Sequence, residues 1–211
     1  MAGYLQATDA INEYLIAQDG AFAAIIKSYE PVKIELADDC FASLAEAIIG
    51  QQLSGKVADV IIRRVYNLCG QAINPRVILE IPAESLREAG MSYSKINYVK
   101  YLASAVEEKT VSFENITSLS NGEITAMLTA VKGIGQWTVE MVLMFTLGRE
   151  DVFALDDLGI QQAICKLYKI DATDKKAMKE KMLTISKKWS PYRTYACRYL
   201  WGWKDNTPSA P

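Results

Sequence analysis

Apolar residues return every three or four positions along most of the chain, the signature of helices that bury one face. Val57, Ile61, Val65 and Leu68 make one such stripe, with Ser54 placed to cap its start and Gly70 to stop it. Ile96, Val99, Ala103 and Val106 make a second after Ser94, and Leu158, Ile160, Ile164, Leu167 and Tyr168 make a third. Alternation of period two occurs only briefly, at Val32–Leu36 (VKIEL). The pattern predicts an all-α protein of about ten helices, without internal repeats or low-complexity segments. The tail from Asp205 to Pro211 carries no such pattern and reads as irregular.

Residues 120–148, SNGEITAMLTAVKGIGQWTVEMVLMFTLG, are the most informative stretch. Ser120 followed by Glu123 spells a capping box. Ile124, Leu128 and Val131 then define one helix face, which Val131-Lys-Gly-Ile-Gly135 interrupts. A second helix follows, with Trp137, Met141 and Met144 or Phe145 on one side, and ends at Gly148. Two short helices joined by a Gly-x-Gly turn form a helix–hairpin–helix. Glycines let backbone come close to a phosphate and adopt positive φ. The N–H groups that open the second helix have no intrahelical partner, and the helix dipole favours an anion there. Such a grip is independent of base sequence. A plain αα-hairpin packed in a core would produce a similar pattern.

Composition narrows the chemistry. The 211 residues contain no histidine, which excludes histidine-activated nucleophiles and most catalytic zinc sites. A general base must be Asp, Glu, Lys, Tyr or Cys. The four cysteines, Cys40, Cys69, Cys165 and Cys197, are widely separated without a CxxC pair and read as reduced thiols of an intracellular protein. The net charge of −2 and pI of about 5.4 count against an extended basic surface, although a local one can sit on an acidic protein. The lysines clustered in residues 171–188 read best as a solvated helix face. No secretory leader and no run long enough to span a membrane is recognisable.

Three separated segments carry a family resemblance. FASLAEAIIGQQLSGKVA at 41–58 resembles the segment leading to the DNA-facing loop of the helix–hairpin–helix DNA glycosylase superfamily. VKGIGQWTVEMVLMF followed by DVFALDDLGI resembles that superfamily's hairpin and catalytic-aspartate region. WSPYRTYACRYLW at 189–201 resembles the carboxy-terminal helix of the 3-methyladenine DNA glycosylase II (AlkA-like) branch. The resemblance covers nearly all of residues 20–203 and implies a compact form that lacks the amino-terminal β-domain of larger members. It implies two helical domains flanking a cleft: residues 39–150, ending in the hairpin, and residues 1–38 packed with 151–211. It implies a monomeric, monofunctional enzyme that flips alkylated purines such as 3-methyladenine or 7-methylguanine out of duplex DNA and hydrolyses the N-glycosidic bond. The alternatives are a non-catalytic DNA-binding module that keeps only the hairpin, and a monofunctional glycosylase for other damaged or mismatched bases.

The site residues follow from the same resemblance. Asp157 matches the essential aspartate, whose negative charge stabilises the cationic sugar as the bond breaks; Asp156 matches its structural neighbour. Read without the family, two successive aspartates before a helix are good N-caps. Trp137 stands where bifunctional relatives carry a Schiff-base lysine, which implies no lyase activity. Trp137 and Trp201 match aromatic residues of the base pocket, where an indole face attracts a cationic purine, and Met141 replaces a pocket tyrosine. Either tryptophan could equally be core. Tyr93, in a turn between Gly90 and a helix over 94–109, matches the side chain that wedges into the gap left by the flipped base. Gln51 matches a loop residue touching the duplex, or else caps the helix that starts at Ser54. Lys132, Gly133, Gly135, Gln136 and Thr138 would contact phosphate, with Lys95 a further candidate. The carbonyls of Thr129, Val131 and Gly133 could hold a structural Na⁺ or K⁺. No other cofactor is implied, and Arg193 and Tyr195 read as structural.

Overall fold

The structure is a computed structural model, and it describes residues 3–206. In chain order the described residues form β1 (Tyr4–Gln6), α1 (Asp9–Gln18), α2 (Ala21–Lys27), β2 (Lys33–Glu35), α3 (Cys40–Gly50), α4 (Gly55–Leu68), α5 (Pro75–Glu80) and α6 (Ala83–Glu88). There follow α7 (Tyr93–Glu107), α8 (Asn121–Thr129), α9 (Gln136–Phe145), α10 (Leu158–Tyr168), α11 (Lys175–Ser186) and α12 (Arg193–Asn206), with single 3₁₀ turns at Ile116–Ser118 and Lys187–Trp189. Side-chain caps explain many of the starts. Thr8, Asp39, Asn74, Ser92, Ser120, Asp157 and Asp174 each accept from a backbone N–H of the helix that follows. Pro75 then occupies a first-turn position of α5, where its missing N–H costs nothing.

The chain divides into two compact units, one made of residues 37–142 and the other of the chain up to Leu36 together with the chain from Leu143. The first is helical throughout. Its centre is α7, whose Val99, Leu102 and Ala103 are fully buried, with α3 contributing Leu44, Ala45 and Ile48, α5 Ile78, α6 Leu86 and α8 Ile124 and Leu128. The second unit is built on α10 and α12. Trp189 is fully buried, with the rings of Phe22 and Phe153 edge-on at 5.2 and 5.9 Å. The buried Asp19 carboxylate accepts from the Trp189 indole at 3.2 Å and the Tyr168 hydroxyl at 2.7 Å, so this polar group enters the core with its partners. Burial, and then the Asp19 carboxylate, hold the Tyr168 phenol in its protonated form.

Several expectations are corrected. Ser92 rather than Ser94 caps α7, so Tyr93 opens the helix instead of lying in a turn. Val57 and Leu68, assigned to a buried stripe, are 47% and 44% exposed, because Ala58, Ile61 and Val65 carry the inward face of α4. Leu158 is 66% exposed for the same reason, with Ile160, Ala163 and Ile164 facing in. The VKIEL segment is β2, and it pairs antiparallel with β1, Leu5 opposite Ile34. Three residues are too few for β1 to show a period. Of the tail expected to be irregular, Asp205 and Asn206 end α12, since nothing before Pro208 forbids helix; residues 207–211 lie outside the described residues.

The start of α12 is tied to the loop before α10. Arg193 forms a forked pair with Asp151, Nε to Oδ1 at 2.5 Å and Nη2 to Oδ2 at 2.9 Å, and the Ser190 hydroxyl donates to Oδ2 at 2.9 Å. Tyr195 donates to Glu150 at 2.6 Å, and Thr194 accepts from the Val152 N–H and donates to the Arg149 carbonyl. The structural reading of Arg193 and Tyr195 therefore holds. Partial burial alone would raise the Asp151 pKa, but the hydrogen bonds from Arg193 and Ser190 and the guanidinium charge outweigh it and lower it. A carboxylate with a lowered folded pKa adds stability above its unfolded value of about 3.9 and loses it as pH falls through the lower folded value. Arg193→Met should therefore cost about 1–2 kcal/mol near neutrality. In thermal melts the gap to wild type should narrow as the pH falls below about 3.9; a gap that persists unchanged at pH 2–3 would count against this pair.

Candidate nucleic-acid interface and catalytic carboxylate

In the helical unit the hairpin is built as its residues require. The Ser120 hydroxyl accepts from the Glu123 N–H at 3.2 Å, and the Glu123 carboxylate accepts from the Ser120 N–H at 2.7 Å, completing the capping box. Past α8, Val131 N–H returns to the Leu128 carbonyl and Ile134 N–H to the Val131 carbonyl. Val131 and Ile134 are buried and pin the turn from inside, while Lys132, Gly135 and Gln136 are exposed.

The two glycines differ in kind. Gly133 has φ +98°, and a Cβ placed there would lie 2.1 Å from the Tyr98 ring, so both backbone and packing demand glycine. Gly135 has ordinary φ and open space around it. The fold has no steric need of a glycine at 135, which leaves its bare backbone free for something outside the protein to approach. The Thr138 side chain, expected to face DNA, is 2% exposed, so only its backbone in the first turn of α9 could serve. Lys132 lies over the Tyr101 ring, with 5.6 Å from Nζ to the ring centre.

Gln51 does not cap the helix after Ser54. Its side-chain amide donates to the Gly133 carbonyl at 3.1 Å and joins its loop to the hairpin. In that loop Gln52 takes φ +59° and Leu53 is 37% exposed. Neither had stood out among the apolar positions of the sequence; a non-glycine residue with positive φ is visible only in the structure. Lys95 is half-buried, and its ammonium is engaged within the protein. Its ammonium donates to the Ile49 carbonyl at 2.8 Å and the Gln51 carbonyl at 2.5 Å. Tyr93 is 53% exposed, with its hydroxyl donating to Glu84 at 3.0 Å and the Arg87 guanidinium 5.8 Å from the ring centre.

The helix α9 carries Trp137, Met141 and Phe145 at four-residue spacing, and all three are half-buried. Met144, the alternative to Phe145, is fully buried on another face. The second unit holds Phe145 with its ring 6.0 Å from that of Trp201. Beside it stands Asp157. Its backbone opens α10, and its Oδ1 accepts from both the Ile160 N–H and the Trp201 indole N–H, each at 2.8 Å. The N-cap and active-site readings of Asp157 are thus compatible, because one oxygen serves the helix and the indole together. A Cβ at Gly159 would come 3.0 Å from that oxygen and 3.1 Å from the indole, so glycine leaves the space this arrangement uses. Asp156 points elsewhere and pairs with Lys179 at 2.5 Å on the surface.

Among the described residues no group of three or more His, Cys, Asp or Glu side chains could hold a metal ion, and none of the four cysteines is in a disulfide. No helix of the described residues is long and apolar enough to cross a membrane.

Comparison with known proteins identifies the family. The family model described as HhH-GPD superfamily base excision DNA repair protein matches residues 45–190. The chain belongs to that superfamily. It is 34% identical over 180 residues to DNA-3-methyladenine glycosylase 1 of Schizosaccharomyces pombe, covering 84% of this chain and 78% of that one. The DNA-3-methyladenine glycosidase structure from Bacillus halodurans superposes with a TM-score of 0.84 at 34% identity, over 97% of this chain and 93% of that one. The Schizosaccharomyces pombe 3-methyladenine DNA glycosylase in complex with abasic DNA superposes equally well, at 30% identity over 96% of this chain and 100% of that one. A Bacillus subtilis relative, 32% identical over 188 residues, is longer, and this chain spans 64% of it.

The contrast between the two hairpin glycines can be measured. Gly133→Ala should destabilise the protein by about 2–4 kcal/mol, through left-handed backbone strain and collision with Tyr98. Gly135→Ala should leave the melting temperature within about 1 °C of wild type, as expected of a substitution away from packing. Equal melting losses in both would contradict the distinction.

Proposed function

We propose that this protein is a monofunctional DNA N-glycosylase that releases alkylated purines of the 3-methyladenine type from duplex DNA. The observation that carries this reading is the Asp157 carboxylate, fixed at the head of α10 by the Trp201 indole N–H. Breaking the bond between the sugar C1′ and the purine nitrogen puts positive charge on the sugar, and a fixed anion lowers the energy of that state. The bonding pair leaves with the purine. Water supplies the new C1′–O bond, with its proton passing to the carboxylate or to solvent. A purine that alkylation has made cationic departs as a neutral base and needs no protonation. That suits a chain without histidine.

The aromatic side chains fit the same class of substrate. The Trp201 indole beside the carboxylate offers a surface for a cationic, flipped base. Trp137 and Met141, half-buried along α9, are side chains of the kind such a base would stack on. The open backbone at Gly135, the exposed Lys132 and Gln136 and the first-turn N–H groups of α9 suit a phosphate. Tyr93 and Gln51 suit the duplex near the lesion. The Thr129, Val131 and Gly133 carbonyls suit a weakly held Na⁺ or K⁺, since neutral oxygens are its usual ligands; the Val131 and Gly133 oxygens already accept from the Ile134 N–H and Gln51 and would share a second lone pair. An intracellular enzyme acting on DNA is the corresponding setting.

Asp157→Asn keeps a good N-cap and an acceptor for the indole, so fold and duplex affinity should survive it. Release of 3-methyladenine from methylated duplex should fall by about 10²–10³-fold or more. An Asn variant that excises at the wild-type rate would remove the carboxylate from the mechanism. Wild type that binds duplex but releases no base from it would favour the binding-module reading instead. Borohydride should trap no covalent DNA adduct, because Trp137 stands where a Schiff-base lysine would be needed.

A further inference from the structure

One face of α7 reaches both DNA-facing segments of the helical unit. Lys95, Tyr98 and Tyr101 follow one another at three-residue spacing, so they lie along one side of the helix. The Lys95 ammonium holds the Ile49 and Gln51 carbonyls, the orphan acceptors at the end of α3. The Tyr98 ring fills the space that the missing Gly133 side chain leaves. Tyr101 lies beneath the Lys132 ammonium. The circuit is closed by Gln51, whose backbone carbonyl is gripped by Lys95 while its side chain donates to the Gly133 carbonyl.

We infer that Lys95 is a positioning residue for DNA binding, locking the Gln51–Ser54 loop and the Val131–Gly135 turn into one rigid surface. The inference rests on the reading that these two segments grip the duplex. The Lys95 ammonium is directed at the Ile49 and Gln51 carbonyls. It acts through Gln51, and Gln51 acts on the hairpin.

Lys100, also on α7, makes an ideal comparison. It donates to the Leu79 and Ile81 carbonyls at the end of α5, at 3.3 and 2.8 Å, performing the same capping service where neither DNA-facing segment lies. Both lysines lose a helix-end contact when replaced by methionine, which keeps most of the apolar stem.

The test uses the full chain as Lys95→Met, Lys95→Arg and Lys100→Met. Amide hydrogen exchange without DNA is followed at residues 51–54 and 131–135. Binding and single-turnover excision are then measured on a duplex carrying 3-methyladenine. In Lys95→Met, exchange should quicken in both segments, and KM for duplex should rise about tenfold, the scale of one charge-assisted hydrogen bond, with the single-turnover rate at saturation kept. Lys95→Arg should restore both, since a guanidinium can reach two carbonyls. Lys100→Met should change neither segment nor KM. The proposal is overturned if faster exchange stops at residues 51–54 and leaves the hairpin untouched, or if Lys100→Met raises KM as much as Lys95→Met. Failure of wild type to bind duplex at all would sink the functional reading, and the exchange data would still decide whether the lock exists.

Discussion

The role proposed for Asp157 requires a carboxylate that is held still, and the start of a helix does the holding. The Ile160 N–H has no partner within α10 and needs an acceptor; Asp157 supplies it, and the same oxygen receives the Trp201 indole. Neither of these two donors carries a formal charge, and both fix the same oxygen through N–H dipoles. The adjacent Asp156 shows the contrast, since it spends its charge on Lys179 at the surface. Glycine at 159 is part of the same arrangement, because a side chain there would press on the oxygen and the indole at once.

The hairpin solves a complementary problem. The backbone grip on phosphate proposed for it needs that backbone bare, yet a bare backbone is floppy. Gly133 and Gly135 divide the task. Gly133 is locked by Tyr98 and by its own left-handed conformation, while Gly135 stays open toward solvent. Val131 and Ile134, both buried, anchor the turn from beneath. Rigidity comes from below and accessibility remains above.

What could be read from the sequence was whatever is decided locally. The Ser120–Glu123 capping box, the turn at Gly133 and the acid at the head of α10 each depend on residues within four positions of one another, so their spacing announces them. The contacts of Lys95, Gln51 and Tyr98 do not, because they join positions 51, 95, 98 and 133 through the packing of α3, α7 and the hairpin. Lys95 looked like any exposed lysine, since nothing near it in sequence shows that two helix-end carbonyls await it. Val57, Leu68 and Leu158 misled for a related reason. A helical period identifies a stripe, but only the neighbouring elements decide how wide a stripe is covered. Phe145 and Met144 were indistinguishable until the structure buried one and set the other beside Trp201.

The charge balance now acquires a physical meaning. A protein of net charge −2 has little long-range attraction for a polyanion, and several of its lysines are committed internally. Lys95 and Lys100 cap helices, Lys179 pairs with Asp156 and Lys33 lies against Tyr4 and Glu35. A grip built from N–H groups and helix dipoles releases fewer counterions than one built from ammonium groups, so it depends less steeply on salt and contributes less undifferentiated affinity. For an enzyme that must reject undamaged sequence, that weakness is useful. On the proposed function, a modest backbone affinity would let the enzyme leave normal DNA, and the remaining binding energy would come from a damaged base that flips easily.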